Sequence, residues 1–327
     1  MHPDRIVPVT SSILSPAALV SEVAASYDIG YPVECMLLNP GVNDTYLIKT
    51  SIERYILRVY RFGWRTISDI LYEMDVLTHL AGKGVPVSTP MARRDGTVVQ
   101  TVRAPEGERY AALFTYAPGA PGPWPADAAY SRFYGSALAI IHNSLDDFSS
   151  VQPRFQLDLA YLIDRPVQTT LPFLNGQPVE AAYLTTLATK LTERVLRRSA
   201  LLERGVCHGD CHGTNCHVTA DGAVTFFDFD SGGFGWRVYD LANFRWASAL
   251  NGAGDTAWDA FLEGYTAQRQ VRAVDMELLP VFVLLRQIWL LGLHTGNAAT
   301  SGIGWLNPDY FERWFTFMRE WESKHAV

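Results

Sequence analysis

The run Ala117-Pro118-Gly119-Ala120-Pro121-Gly122-Pro123 constrains the fold of this chain more than any other feature. Proline has no N–H for a helix or a ladder, its ring blocks the preceding turn, and glycine loses the most conformational freedom on ordering. Regular structure therefore stops here, and the chain is expected to divide into an N-terminal part, residues 1–116, and a C-terminal part, residues 117–327.

The two parts carry different periodicities. Before the break, Tyr46–Lys49, Tyr55–Tyr60 and Ala111–Tyr116 are rich in β-branched and aromatic residues, and Gly41-Val42-Asn43-Asp44 is a turn signal. One segment among them, Ile67–Ala81, repeats apolar residues at helical spacing (Ile70, Leu71, Met74, Leu77, Leu80) and stops at Gly82 and Gly84. After the break, Ala128–Asn143, Val179–Arg198, Ala257–Gln268, Met276–His294 and Pro308–Lys324 all show a helical period, and Gly205–Gly235 is the exception. These patterns predict an α+β chain of two lobes, the first small and β-rich, the second larger and mainly helical.

Composition narrows the function classes. At 327 residues and 48% hydrophobic content there is ample core for two lobes. A net charge of −7 and a pI near 5.6 argue against a nucleic-acid binder, which carries a basic stripe. Near the N-terminus the charges are isolated, at Asp4 and Arg5, without the basic run of a secretion signal. The longest apolar stretch, Leu278–Leu293, is interrupted by Pro280, Arg286 and Gln287, which predicts a buried helix and no membrane span. Three of the four cysteines (Cys207, Cys211, Cys216) fall within ten residues, unlike a disulfide framework spread over a secreted domain. A cytoplasmic location is expected.

The segment His208-Gly209-Asp210-Cys211-His212-Gly213-Thr214-Asn215 precedes a hydrophobic run, Val224–Phe227, that ends in Asp228-Phe229-Asp230. Phosphoryl transfer needs a carboxylate to orient a hydroxyl, oxygen ligands for magnesium, and cations or amides on the phosphates. Asp210 and Asn215 stand five positions apart, the separation of the base and the metal-binding asparagine in a kinase catalytic loop. Asp228 follows as the second metal carboxylate. Zinc ligation by the cysteines and by His208, His212 and His217 is the competing chemistry, but their spacing lacks a second Cys-x-x-Cys pair. His142, in an apolar run, reads as a structural histidine.

At these residues the chain resembles the aminoglycoside phosphotransferase and choline kinase-like superfamily, which shares the protein-kinase fold. The loop signature His-Gly-Asp-x-His-x-x-Asn is matched by His208, Gly209, Asp210, His212 and Asn215. Within that superfamily the sequence is most similar to bacterial stress-response kinases, whose loop also reads His-Gly-Asp-Cys-His. The resemblance implies Asp210 as catalytic base, accompanied in the loop by His208 and His212. It implies Asn215 and Asp228 as Mg2+ ligands, Asp230 as an auxiliary acidic group of the metal site, and Asp240 as a brace for the loop. In the first lobe it implies nucleotide binding by the Gly41–Tyr46 loop with Asn43, by Arg58 paired with Glu73, and by the backbone around Thr115 and Tyr116. Arg58 stands where kinases place a lysine, and its planar fork binds phosphate differently from an ammonium.

The expected reaction is transfer of the γ-phosphate of ATP, or of GTP, to a hydroxyl of a small metabolite or antibiotic, with Mg2+ as cofactor. A metabolic acceptor is expected over an aminoglycoside, because Asp255, Asp259 and Glu263 stand among many aromatics near the C-terminus. A protein serine/threonine acceptor and a non-catalytic nucleotide-binding scaffold are the alternatives.

Overall fold

Alternating burial along neighbouring strands organises the first of the two units into which the chain divides. The computed structural model describes residues 7–123, 127–252 and 254–327, so Asp4 and Arg5 lie outside it. The first unit comprises residues up to 82 together with 87–117 and 150–153; the second comprises 83–86, 118–149 and 154–327.

Helix α1 (Pro16–Glu22) opens the first unit, followed by β1 (Pro32–Pro40), β2 (Asp44–Thr50), β3 (Arg54–Val59), α2 (Ile67–Gly82), β4 (Gln100–Ala104) and β5 (Gly107–Thr115). The strands form one antiparallel sheet in the order β1-β2-β3-β5-β4. Tyr46 and Ile48, then Tyr55, Leu57 and Val59, then Ala111 and Leu113, lie at alternate positions and share one core with Leu19, Val23 and Tyr27. Each of the buried Leu, Ile and Val side chains contributes roughly 1.5–3 kcal/mol, which holds α1 to the sheet. Arg58, between Leu57 and Val59, necessarily faces the other way, and there it meets Glu73 of α2. Thr66 and Asp69 start α2 as a reciprocal capping box, Thr66 N to Asp69 Oδ2 at 3.0 Å and Asp69 N to Thr66 Oγ1 at 3.2 Å.

The second unit contains β6 (Ala120–Pro121), α3 (Ala128–Ser144), β7 (Gln156–Leu157), α4 (Arg165–Thr170), α5 (Pro178–Leu196), β8 (Arg204–Cys207), β9 (Cys216–Val218), β10 (Val224–Phe226), β11 (Gly233–Trp236), α6 (Val238–Leu250), α7 (Gly254–Thr266), α8 (Ala273–Gly296), α9 (Ala298–Ser301) and α10 (Pro308–His325). Two three-stranded sheets, β10-β9-β6 and β7-β11-β8, are set among the helices. Helix α3 approaches α7 so closely that a Cβ on Gly135 would lie 2.0 Å from the Phe261 carbonyl oxygen. The mixed α+β architecture is the expected one.

One element differs from the expectation, and one expected helix is longer than its apolar stretch. Helix α6 is unannounced by any apolar stripe, because eleven of its thirteen residues are buried and it has no solvent face to create one. The Leu278–Leu293 stretch is part of a longer helix, α8, of 24 residues, which admits Pro280 in its interior. By length and composition α8 passes the test for a membrane span, yet 78% of its apolar window is buried inside the unit, as in a core helix.

The N-terminal turn of α8 carries a buried carboxylate, Asp275, whose Oδ1 accepts from the Glu203 N–H at 3.2 Å. Burial, with the charge of Glu203 added, pushes its pKa up to about 6. The unfolded value is near 4, so the folded chain binds this proton more tightly. Its contribution to stability is complete below about pH 4 and is lost as pH rises through about 6. Asp275→Asn keeps the accepting oxygen without the charge. Denaturant midpoints are expected to favour the variant by about 1–3 kcal/mol at pH 7.5 and to converge with the parent near pH 4. An identical gap at both pH values would contradict this account.

Candidate active site

The loop between β8 and β9 is suspended from one buried carboxylate. Asp240, in the first turn of α6 and 0% exposed, accepts the His208 N–H at 2.7 Å on Oδ2 and the Gly209 N–H at 2.8 Å on Oδ1. His142 Nε2 lies 3.0 Å from the same Oδ2, and the Tyr265 hydroxyl is 2.7 Å from His142 Nδ1. An ionised carboxylate only accepts, so Nε2 carries the imidazole proton and Nδ1 accepts from Tyr265. Burial lowers the His142 pKa and keeps the ring neutral, while hydrogen bonding holds Asp240 ionised against its own burial. His142 is therefore a structural histidine that ties α3 and α7 to the loop.

Gly209 permits the loop's tight approach to the following turn. Its φ is +81°, and a Cβ there would lie 2.2 Å from the Ser231 carbonyl oxygen. His208 bridges the same two segments: its Nε2 is 3.0 Å from the Phe227 carbonyl oxygen and its Nδ1 accepts from the Asp210 N–H at 3.3 Å. Both ring nitrogens are committed to backbone and the residue is 0% exposed. The motif groups His208 with the catalytic residues, and the sequence also reads it as a loop organiser; its geometry is that of a residue that organises the loop.

Asp210 gathers three side chains. Asn215 Nδ2 donates to its Oδ2 at 2.9 Å and to its backbone carbonyl at 3.1 Å. His212 Nε2 is 3.3 Å from Oδ2, and Arg286 Nη2, from the middle of α8, is 2.5 Å from Oδ1. Burial opposes ionisation of Asp210, but His212 and Arg286 hold its carboxyl well below the usual carboxylate range. The Asp210 side chain keeps 20% of its surface exposed, whereas Arg286 keeps 3%.

Past β10, Phe227 N donates to the Asn215 carbonyl at 3.0 Å, which ties the loop to the aspartates that follow. Asp228 has φ 66° and ψ 58°, a left-handed conformation uncommon for a residue with a Cβ. Asp230 is 5% exposed in the short 3-10 turn after it. Arg154 fastens this turn by donating to the carbonyls of Gly232 at 2.8 Å and Asp230 at 2.5 Å.

In the first unit, Arg58 Nη1 meets Glu73 Oε1 at 2.8 Å, and the Tyr60 hydroxyl donates to Glu73 Oε2 at 3.0 Å. Asn43 Oδ1 accepts from the Arg61 N–H at 3.2 Å, while Arg61 Nη2 donates to the Gly41 carbonyl at 2.9 Å, so the turn 41–43 is stapled to the end of β3. Thr115 spends its N–H on the Thr89 carbonyl at 2.9 Å and its carbonyl on the Ser88 hydroxyl at 2.6 Å. Tyr116 lies beneath Arg54, 4.1 Å from guanidinium to ring centre.

Sequence reasoning missed the roles of Arg286 and Arg154. In sequence Arg286 reads as an interruption of an apolar stretch, although a charge in the middle of a buried helix requires a partner, and that requirement is the available signal. Arg154 lies in an irregular segment with no motif around it. Cys207, Cys211 and Cys216 are buried, and burial pushes each thiol up, away from the thiolate that zinc needs.

Residues 38–279 match the phosphotransferase enzyme family. An uncharacterised protein of Deinococcus radiodurans is 39% identical over 99% of this chain and 94% of its own length. A homoserine kinase of Azorhizobium caulinodans is 29% identical over 81% of this chain and 80% of its own. Among solved structures, a microcompartment-associated aminopropanol kinase shares the fold with a TM-score of 0.75 at 23% identity, covering 93% of this chain and 95% of that one. An amicoumacin kinase bound to AMP-PNP and Ca2+ does so with a TM-score of 0.73 at 20% identity, covering 93% and 96%. With its kinase-like α+β fold and a match over most of its length, this chain belongs to the phosphotransferase enzyme family and is a phosphotransferase that acts on hydroxyl groups.

Proposed function

We propose that the chain moves the γ-phosphate of ATP, or of GTP, onto the hydroxyl of a small metabolite, with Asp210 receiving that hydroxyl and Mg2+ held by Asn215 and Asp228. The observation that carries this reading is the state of Asp210: a carboxylate held ionised, fixed by Asn215 and Arg286, and still partly exposed. The transition state of phosphoryl transfer is loose, so the acceptor proton leaves late and orientation counts for more than basicity. A carboxylate pinned at both oxygens and well below the usual range suits an orienting role.

The residues present fit a magnesium ion. Asn215 turns its amide nitrogen onto Asp210, and its Oδ1 has no protein partner among the described residues, which leaves a hard oxygen for a cation. Asp228 holds an uncommon backbone conformation two residues after a strand, and such outliers cluster at functional sites. Among the described residues no group of three or more His, Cys, Asp or Glu side chains forms a ready-made cage. Magnesium seldom uses one, since it is held by one or two protein oxygens, phosphates and water. When bound, it neutralises charge on the phosphate oxygens. Asp230 adds negative charge beside Asp228.

In the first unit, Arg58, fixed by Glu73 and Tyr60, is assigned to the phosphates, and Asn43 to the nucleotide as well. The backbone around Thr115 and Tyr116 is assigned to the base of the nucleotide. The AMP-PNP held by the amicoumacin kinase supports a nucleoside triphosphate as donor, and the homoserine kinase supports a small metabolite as acceptor.

Asp210→Asn is expected to lower kcat by about 10²–10⁴-fold while the nucleotide dissociation constant changes little, because the phosphate contacts remain. Turnover equal to the parent would remove Asp210 from the reaction. Asp228→Ala is expected to shift the magnesium dependence of nucleotide binding to higher concentration, read by titration calorimetry. Superimposable titrations of variant and parent would exclude Asp228 as a ligand.

A further inference from the structure

Arg154 reaches the turn that follows Asp228 from outside the catalytic motif. Its Nε donates to the Gly232 carbonyl at 2.8 Å and its Nη2 to the Asp230 carbonyl at 2.5 Å, so one planar fork grips the short 3-10 turn at two points. The arginine is itself backed by other groups. Its guanidinium lies 4.1 Å from the ring centre of Phe155, and Phe155 stacks on Tyr161 at 4.5 Å with 9° between the rings. Tyr161 continues the contact to Trp289 of α8, 6.3 Å between ring centres. Just past Arg154 the backbone runs parallel to β11, Gln156 beside Phe234 and Leu157 beside Gly235. The two segments lie too close for side chains between them: a Cβ on Gly233 would be 2.8 Å from the Phe155 carbonyl oxygen, and one on Gly235 2.6 Å from the Leu157 Cβ. Arg154 is thus fixed in register with the turn that it grips.

A grip on backbone carbonyls matters here because of the backbone at Asp228. Its left-handed conformation, φ 66° and ψ 58°, costs of the order of 1–3 kcal/mol in a residue with a Cβ and persists only where the surroundings hold it. The direction in which Asp228 presents its carboxylate follows from that conformation, and hydrogen bonds two and four residues further on keep the turn from relaxing. We propose that Arg154 is a positioning residue for the metal site: it holds the turn in the conformation that presents Asp228 to magnesium and so sets the affinity for the ion. This rests on the reading of Asp228 as a magnesium ligand. The guanidinium also carries charge, and its two effects have opposite signs. Charge alone repels a divalent cation, so its removal would tighten magnesium binding, whereas loss of alignment weakens it. A fork bonded to two carbonyls is the geometry of a brace, and alignment is the larger effect.

The test is binding of ADP to the full chain, followed by titration calorimetry at a series of magnesium concentrations and without metal, for the parent, Arg154→Met, Arg154→Lys and Asp228→Ala. Arg154→Met keeps an apolar stem on Phe155 and loses the fork. It is expected to raise the magnesium concentration at which ADP affinity is half-enhanced by about 10–100-fold, the scale on which partners of metal ligands act. Its affinity for ADP without metal is expected to stay that of the parent, which general damage to the fold would not allow. Arg154→Lys keeps the charge but not the planar fork, and is expected to fall between parent and Arg154→Met. An unchanged or lowered magnesium midpoint in Arg154→Met, or an equal loss of ADP affinity with and without metal, overturns the inference. Should Arg154→Met fail to fold, Arg154→Lys decides by the same comparison. Asp228→Ala separates the two levels of the account: a raised midpoint there beside an unchanged one in the Arg154 variants sinks only the role of Arg154. Unchanged midpoints in all three variants remove Asp228 from the metal site and the inference with it.

Discussion

The carboxylate of Asp240, sealed inside the helical unit, is the point from which the reactive loop hangs. It accepts two successive backbone N–H groups, His208 and Gly209, and the imidazole of His142. Hydrogen bonds to a charged group contribute about 1.5–3 kcal/mol each, and none of these donors has water to fall back on. Helix α6 is buried nearly all round and so cannot shift its aspartate, while His142 on α3 and Tyr265 on α7 close the arrangement from two other helices. The loop that carries Asp210 is thus anchored by the packing of three helices, and Asn215 within it fixes the carboxylate.

Charge compensation does the rest. A carboxylate taken out of water with no cation would protonate or destabilise the fold, at a cost of several kcal/mol. Arg286 enters from the middle of α8 to meet Asp210, and Arg154 clamps the carbonyls of the turn that follows Asp228. The same arginines constrain chemistry. An aspartate held ionised by a guanidinium is a poor general base for a strongly basic alkoxide, but a well-placed acceptor for a hydroxyl whose proton departs late.

How much of this was legible in the sequence depended on whether the signal was local. Asp210, Asn215 and Asp228 are separated by fixed, short intervals because a loop and a strand set their spacing, and that pattern survives without a structure. The pairing of Arg58 with Glu73 was readable for the same reason: one lies on a strand and the other on the helix that follows. Helix α6 was not, since uniform burial erases the amphipathic period on which helix recognition relies. Arg286 and Arg154 were invisible because each acts on residues about seventy-six positions or more away, and no local rule says where a buried cation will find its carboxylate. His208 belongs to the motif and also reads as a loop organiser in sequence, and its two ring nitrogens are spent on the loop's backbone.

The central claim is that an alcohol oxygen presented at Asp210 attacks the terminal phosphate of a nucleotide. The most direct measurement is phosphorus NMR of the full chain with ATP, magnesium and a productive alcohol labelled with 18O at its hydroxyl. The account predicts ADP and a phosphate monoester in equal amounts, with the isotope-shifted resonance of a bridging 18O. Inorganic phosphate as the only new phosphorus species besides ADP, or an ester whose bridge lacks the label, would contradict it.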